Sequence, residues 1–343
     1  MDRNSENLSS RIGVVFQSTL SKGSDKLRAA WYVGYDHLGR GTESIEYVPI
    51  LHYSGEQTLP FLDRRPPELK TPDGLRAYVT ENHERFPPGT TWLIGNEVGF
   101  APNGDTRSPH QYARDYHDAY EALKSLDMDY LVAPTSIVTT PRKETSDGYS
   151  PVTGYPSIYF QALDRSREIL ELIRSGRICE HAVAYLEQVM EKYRKQFAEE
   201  MPIDVFNIHP YARNVEEGCT DADDVLEQVA AFRRFMKLRG YRDCPLMISE
   251  IGCPLGTPPP DDVAAFLTRV LPDLLNLYSE TLGPEADDYR LVQRIAWVAG
   301  APPERPEFSP PGINWNQTTL LDSDGNLTPL GQTFNNTVQR LSH

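Results

Sequence analysis

The chain has 343 residues, of which 39% are hydrophobic and 24% charged, with a formal net charge of -15. That length allows about two domains of ~150 residues, or one α/β barrel with insertions. No apolar run approaches the ~20 residues of a membrane helix, and so acidic a surface repels phosphate backbones, so neither a membrane nor nucleic acid is an expected partner.

Short apolar runs recur along the chain. They are Arg11 to Phe16, Ala30 to Tyr35, Tyr47 to His52, Thr91 to Asn96, Tyr130 to Pro134, Val205 to His209, Pro245 to Ser249 and Arg294 to Val298. Their near-continuous hydrophobicity suits strands buried on both faces. Helical patterns lie between the later runs. Ser108, Pro109 and Gln111 form an N-terminal helix signal, followed by Tyr112, Tyr116, Ala119 and Leu123 at helical spacing. Val183 to Phe197 and Leu226 to Leu238 repeat the pattern, the second stopping at Gly240. Further helices open near Pro259 and at Thr328-Pro329. The connections after the first two strands are too short to demand a regular helix.

Eight strands in βα alternation fit either a closed (β/α)8 TIM barrel or an open doubly wound sheet. The open sheet usually carries a glycine-rich phosphate turn after its first strand, and here Gln17-Ser18-Thr19 stands instead. The expectation is therefore an α/β class, single-domain barrel over 1–343, with 139–178 inserted between strand five and its helix. The polar N-terminus, MDRNSENLSS, is compatible with a cytoplasmic chain or with a secreted one whose signal has been removed. The oligomeric state is not legible.

Barrel active sites lie where strands end at the C-terminal face. Strand four ends in Asn96-Glu97, strand six in His209 with Tyr211 just beyond, and strand seven in Ser249-Glu250; strand eight carries Trp297. Each alone has a plainer reading: a glutamate closing a strand caps or pairs, a histidine is hydrogen-bonded structure, a tryptophan is core. Their conjunction is what carries information. Two carboxylates at one rim, one protonated to donate to the glycosidic oxygen and one ionised to attack the anomeric carbon, are the apparatus of glycoside hydrolysis. Trp297 could then floor a sugar ring, Tyr211 or His209 could orient the nucleophile, and Asn96 could hold a ring hydroxyl. Tyr35, His52 and Trp315 end or follow other strands and could line further subsites.

The segments WLIGNEVGF (92–100), FNIHPYA (206–212), PLMISEIG (245–252) and RIAWV (294–298) resemble the clan A glycoside hydrolases, retaining TIM-barrel enzymes. The early runs GVVF, AWYVGY and EYVPILHY are similar to the branch containing endo-β-1,3-glucanases and uncharacterised bacterial members. The resemblance implies Glu97 as acid/base, Glu250 as nucleophile, Asn96 on the sugar 2-hydroxyl and Tyr211 as the nucleophile's partner. It places His209 and Trp297 around the cleaved sugar. Where many members read Asn-Glu-Pro, this chain has Val98. The implied activity is a retaining β-glycosidase on an oligo- or polysaccharide, a β-glucan before a small aryl glycoside. The rival readings are a non-catalytic carbohydrate-binding barrel and a different sugar-processing barrel enzyme, a lyase or isomerase.

No cofactor and no metal is expected. The cysteines at 179, 219, 244 and 253 have no zinc spacing. Cys219 and Cys253 would meet near the active rim of a barrel, where a disulfide is conceivable. Asp322 to Asn326 lacks the acidic residue that would close a calcium loop and reads as a turn.

Overall fold

The computed structural model describes residues 7–17, 19–35, 39–53, 69, 71–100, 105, 107–140, 167–173, 175, 177–212, 219–303 and 313–342. Nine strands make one parallel sheet among these residues: β1 (Ile12–Phe16), β2 (Trp31–Gly34), β3 (Glu46–Leu51), β4 (Thr91–Ile94), β5 (Leu131–Ala133), β6 (Ile137–Val138), β7 (Phe206–His209), β8 (Leu246–Ile251) and β9 (Arg294–Trp297). Their order is β5-β4-β3-β2-β1-β9-β8-β7-β6. The two end strands are consecutive in the chain, separated only by Pro134, Thr135 and Ser136.

The nine strands are therefore the eight expected runs, with the fifth broken in two. Its first half pairs with β4 and its second with β7. The sheet closes on itself through this break, as a (β/α)8 barrel. Below the break, the backbone N–H of Asp204 donates to Val132 O at 3.2 Å. The Asp204 carboxylate in turn accepts from the Val132 N–H at 2.9 Å. A side chain thus completes the ladder where the strands have no register.

Side chains alternate between two apolar layers, as strand geometry requires. Val14, Phe16, Ile248, Ile295 and Trp297 face the helices. Val15, Trp31, Val33, Ile50, Leu93, Met247 and Ala296 face inward and fill the barrel. Trp31 is the largest inward group and is fully buried. It stands opposite Gly13 in the β1·β2 register, and a Cβ at Gly13 would meet its ring at 2.4 Å. The Arg294 guanidinium lies 4.2 Å from the Trp31 ring centroid and pairs with Glu46 at 2.9 Å.

The helices are α1 (Pro72–Glu81), α2 (Pro109–Leu126), α3 (Arg167–Ile173), α4 (Glu180–Phe197), α5 (Ala222–Leu238), α6 (Pro260–Asn276) and α7 (Pro329–Arg340). The α2 start is a full capping box between Ser108 and Gln111, with Pro109 at the first position. Helix α1 was not expected, although Thr71 caps Gly74 N–H and Pro72 opens its first turn. The described residues between β1 and β2 hold only the short 3-10 turn Ser24–Lys26. Of the expected insertion, α3 is described, and 141–166 lie outside the described residues. No described helix is long and apolar enough to cross a membrane.

All four cysteines are free thiols. Cys219 and Cys253 do meet, but as a thiol on a carbonyl, Cys253 Sγ to Cys219 O at 3.4 Å. Asp322 to Asn326 forms the turn between bridged Leu321 and Leu327.

Gly13→Ala should destabilise the protein by about 1–3 kcal/mol, because its Cβ would overlap the fully buried Trp31 ring. Urea unfolding monitored by tryptophan fluorescence measures it, and an unchanged midpoint would show that the barrel floor yields.

Candidate active site

Three local devices bring the predicted residues to one mouth of the barrel. The first is the turn after β4. Glu97 sits in the left-handed region at φ 48, between Gly95 at φ 84 and Gly99 at φ 85. That conformation is unfavourable for a residue with a Cβ and persists because its neighbours over-determine it. Glu97 N–H donates to Ser136 Oγ at 3.1 Å and Val98 N–H to Thr135 Oγ1 at 2.9 Å. Gly99 N–H donates to Asp105 O at 2.8 Å. Thr135 and Ser136 are the residues that interrupt strand five, so the break that closes the barrel also holds the Glu97 turn. Valine at 98 supplies an N–H that proline would lack, and the Thr135 hydroxyl accepts it.

Beneath this turn lies a buried charge cluster. Arg107 pairs with Asp105 at 2.8 Å and Asp115 at 2.9 Å. It also donates to Tyr53 O at 2.6 Å. Tyr112 of α2 donates to Ile94 O and accepts from Thr135 N–H, both at 2.6 Å. Strand four, strand five and α2 are thus tied together at the point where Glu97 leaves the sheet.

The second device is a β-bulge in β8. Ile248 pairs with Ile295 and Ile251 with Trp297, so β8 carries one residue more than β9 over this stretch. Strict alternation would send Ser249 and Glu250 to opposite faces. The extra residue re-aims the strand end, and both side chains bond to the mouth. Ser249 Oγ lies 2.7 Å from His209 Nε2, and Tyr211 Oη donates to Glu250 Oε2 at 2.7 Å. Tyr35 Oη donates to the other oxygen, Oε1.

The third is the inward position of His209 at the end of β7. It is 0% exposed, with Nδ1 2.6 Å from Glu97 Oε1 and 3.7 Å from Glu250 Oε2. One ligating atom from each of Glu97, His209 and Glu250 lies within 4.8 Å of the others. Among the described residues this is the one group whose spacing could hold a metal ion, and it is the same pair of carboxylates with the imidazole between them. The side chain of Asn207, the next inward residue below, makes no hydrogen bond to any described residue.

Electrostatics follow from this crowding. Burial raises the Glu250 carboxyl above its ordinary range; the positive His209 opposes that, the charge of Glu97 adds to it, and the Tyr35 and Tyr211 donors pull it down. For His209, burial opposes protonation, but the Glu250 and Glu97 carboxylates outweigh it and the imidazole is raised. The Tyr35 and Tyr211 phenols are pushed well above their usual value, first by burial and then by the Glu250 charge. Both stay protonated and remain donors.

The other predicted residues divide. His52 Nε2 is 3.1 Å from Tyr35 O and braces that tyrosine. Asn96, half-buried, accepts from Ser136 Oγ at 3.0 Å. Trp315, on the loop after β9, packs half-buried against the inner cluster at the mouth, with Tyr35, Tyr211 and Ala299 in the same group. Trp297 does not reach the mouth, which corrects the expectation that it floors a sugar. Its ring is fully buried against Phe266 of α6, 6.2 Å between centroids. Its indole N–H donates to Thr318 O at 2.9 Å. The alternation of β9 sends it outward. Sequence reading missed Thr135, Ser136 and Ser249 as parts of the site, although each adjoins a strand end.

The fold has known counterparts. An endo-β-1,3-glucanase from Sorangium cellulosum superposes with a TM-score of 0.56 at 16% identity, covering 95% of this chain and 98% of its own. A glucosidase from Croceicoccus marinus gives 0.58 at 14%, covering 96% and 67%. A curdlan-specific exo-β-1,3-glucanase from Blastomyces gilchristii gives 0.53 at 14%, covering 96% and 99%. The chain has the barrel fold of these glycoside hydrolases. Two proteins named β-1,3-glucanases are thus among the structures that share its fold. No protein-family model matches the chain, and no curated protein matches it.

Tyr211→Phe removes a donor to the charged form of Glu250, so the Glu250 pKa should rise further. A 13C carboxyl titration should show the Glu250 midpoint moving to higher pH; a midpoint that stays or falls would mean that the phenol does not stabilise the carboxylate.

Proposed function

We propose that this protein is a glycoside hydrolase that cleaves β-linked glycans, a β-glucan foremost, by double displacement. Glu250 is the nucleophile and Glu97 the acid/base. The chain is read as one catalytic barrel, with 139–178 as an insertion beside the cleft. The observation that carries the proposal is the buried carboxylate pair at the barrel mouth, with oxygens within 4.8 Å and His209 between them. Retaining glycosidases hold their carboxyls ~5–5.5 Å apart, and inverting ones leave ~6.5–9.5 Å for a water. The short approach supports retention. A pure binding barrel would have no need to bury two repelling carboxylates.

The roles follow from the surroundings. Glu250 has both oxygens engaged by phenols that stay protonated, which orients it and favours its charged form. On this reading Glu97 is the group that delivers the proton the leaving oxygen takes up. As the bond between the anomeric carbon and the glycosidic oxygen breaks, Glu97 protonates that oxygen and Glu250 bonds to the carbon. Water then attacks the anomeric carbon, losing its proton to Glu97 and releasing Glu250. Asn96 is placed to bind the sugar beside the breaking bond. Tyr35 with its brace His52, Tyr211 and Trp315 wall the subsite; Trp315 takes the aromatic role that Trp297 does not fill. The neighbours that are named β-1,3-glucanases point to β-1,3-glucan as the first substrate to try.

The test is a panel of β-1,3-, β-1,4- and mixed-linkage glucans with mannan, galactan and xylan, read by reducing ends and by NMR of the first anomer released. A β-glucan is expected to yield the β-anomer first. Glu97→Gln should lose about 10²–10⁴-fold on glucan, and Glu250→Gln should be inactive on every substrate. A Glu250→Gln variant that matches wild type, or an α-anomer released first, would overturn the assignment. No turnover anywhere, with glycan still bound, would favour the carbohydrate-binding alternative.

A further inference from the structure

Two loops at the mouth are stitched together. One is 252–256, which leads away from Glu250 at the end of β8; the other is 313–318, which follows β9 and carries Trp315. Leu255 and Ile313 form an antiparallel bridge, and Asn314 N–H donates to Pro254 O at 2.7 Å. Gly252 is pressed between Val298 O and the Thr318 hydroxyl, so closely that a Cβ there would meet them at 2.3 and 2.8 Å. Thr318 fixes the far end of the second loop. Its N–H donates to Trp315 O at 3.0 Å. Its hydroxyl donates to Val298 O at 2.7 Å and accepts from Cys253 N–H at 3.3 Å. Its carbonyl accepts the buried Trp297 indole hydrogen.

Gln317 lies at the centre of this seam. Its amide nitrogen is 2.6 Å from Cys253 O, 3.2 Å from Leu255 O and 3.3 Å from Gly256 O. The shortest of these contacts goes to the residue three positions beyond Glu250. An irregular segment has no ladder to hold its carbonyls, and here one side chain does so. The Gln317 carbonyl oxygen accepts from Asn314 Nδ2 at 3.2 Å, and Asn314 Oδ1 accepts from Asn316 N–H at 3.2 Å. Trp315 is the residue that this ring of bonds encloses, and it packs half-buried against the inner cluster that holds Tyr35 and Tyr211.

An aromatic platform on a loose loop must be ordered each time a sugar binds, and that cost comes off the binding free energy. Here the loop is ordered beforehand, against the same stretch of chain that carries the nucleophile. We propose that Gln317 is a positioning residue that holds Trp315 as a preformed sugar platform in fixed register with Glu250, and so sets affinity at that subsite. This rests on the glycosidase reading, in which Trp315 walls the subsite. The apolar ring face that a platform meets is present before and during bond cleavage. Its contribution is therefore shared by ground and transition states, and its loss falls on KM rather than kcat.

Two measurements test it. The first needs no substrate: a 1H–15N spectrum of tryptophan-labelled protein, with the Trp315 indole signal assigned by its loss in Trp315→Phe. Gln317→Met keeps the side-chain length and removes the donors. It should shift the Trp315 signal and leave those of Trp31 and Trp92 in place. A Trp315 signal that stays put overturns the proposal, as does equal movement of all the tryptophans, which would mark a general loosening of the fold.

The second is a kinetic cycle on the panel glycan that wild type cleaves fastest. Trp315→Ala should raise KM about tenfold, and Gln317→Met about fivefold with kcat held within about twofold. The double variant should be no worse than Trp315→Ala alone, because Gln317 acts through a ring that is then gone. Losses that multiply in the double variant, a Gln317→Met loss that falls on kcat, or a wild-type KM in Trp315→Ala each overturn the proposal. If wild type neither cleaves nor binds any glycan, the glycosidase reading fails, and the indole spectrum still decides whether Gln317 fixes Trp315.

Discussion

Two carboxylates that repel one another are buried at the mouth of this barrel, and much of the surrounding architecture answers that constraint. Neither can keep a charge in a dry site without partners. His209 supplies one, lying 2.6 Å from Glu97 and 3.7 Å from Glu250. Two phenols supply the rest for Glu250. The result is a coupled group that shares protons. Its members differ in surroundings, one carboxyl held by donors and the other by an imidazole and a serine hydroxyl in series. That difference is what permits an acid and a nucleophile to be made from the same residue type.

Holding such a group requires rigid attachment, and the chain provides it by departing from regular geometry at three strand ends. Strand five breaks at Pro134, and the two hydroxyls in the gap accept the N–H groups of the Glu97 turn. Glu97 itself takes a left-handed conformation. The strand labelled β8 bulges so that consecutive residues serve one face. Each irregularity costs ladder hydrogen bonds or backbone strain. The first two are supported from behind, by the Arg107 cluster, Tyr112 and Asp204. The barrel floor, where Trp31 fills the space left by Gly13, carries no such distortion.

The strands, the closed α/β architecture and the carboxylate pair were legible in the amino-acid sequence because they follow from local signals. Buried parallel strands must read as continuous apolar runs, helices advertise caps such as Ser108 with Gln111, and the residues ending those runs must lie at one face of any barrel. Glu97, His209, Tyr211 and Glu250 could be named on that basis. What the sequence could not carry is direction. Trp297 and Trp315 look equally suitable as a sugar platform in a linear reading. The alternation of β9 sends the first to the helices, and the loop after β9 brings the second back to the mouth. Thr135, Ser136 and Ser249 were passed over because a small hydroxyl beside a strand has no distinctive pattern. Their importance arises from strand breaks and bulges, which depend on pairing with residues far along the chain. Sequence determines which groups end the strands, since burial acts on each residue's own polarity. Only the tertiary structure decides which of them face one another, since that depends on register, and a one-residue slip reverses every side chain.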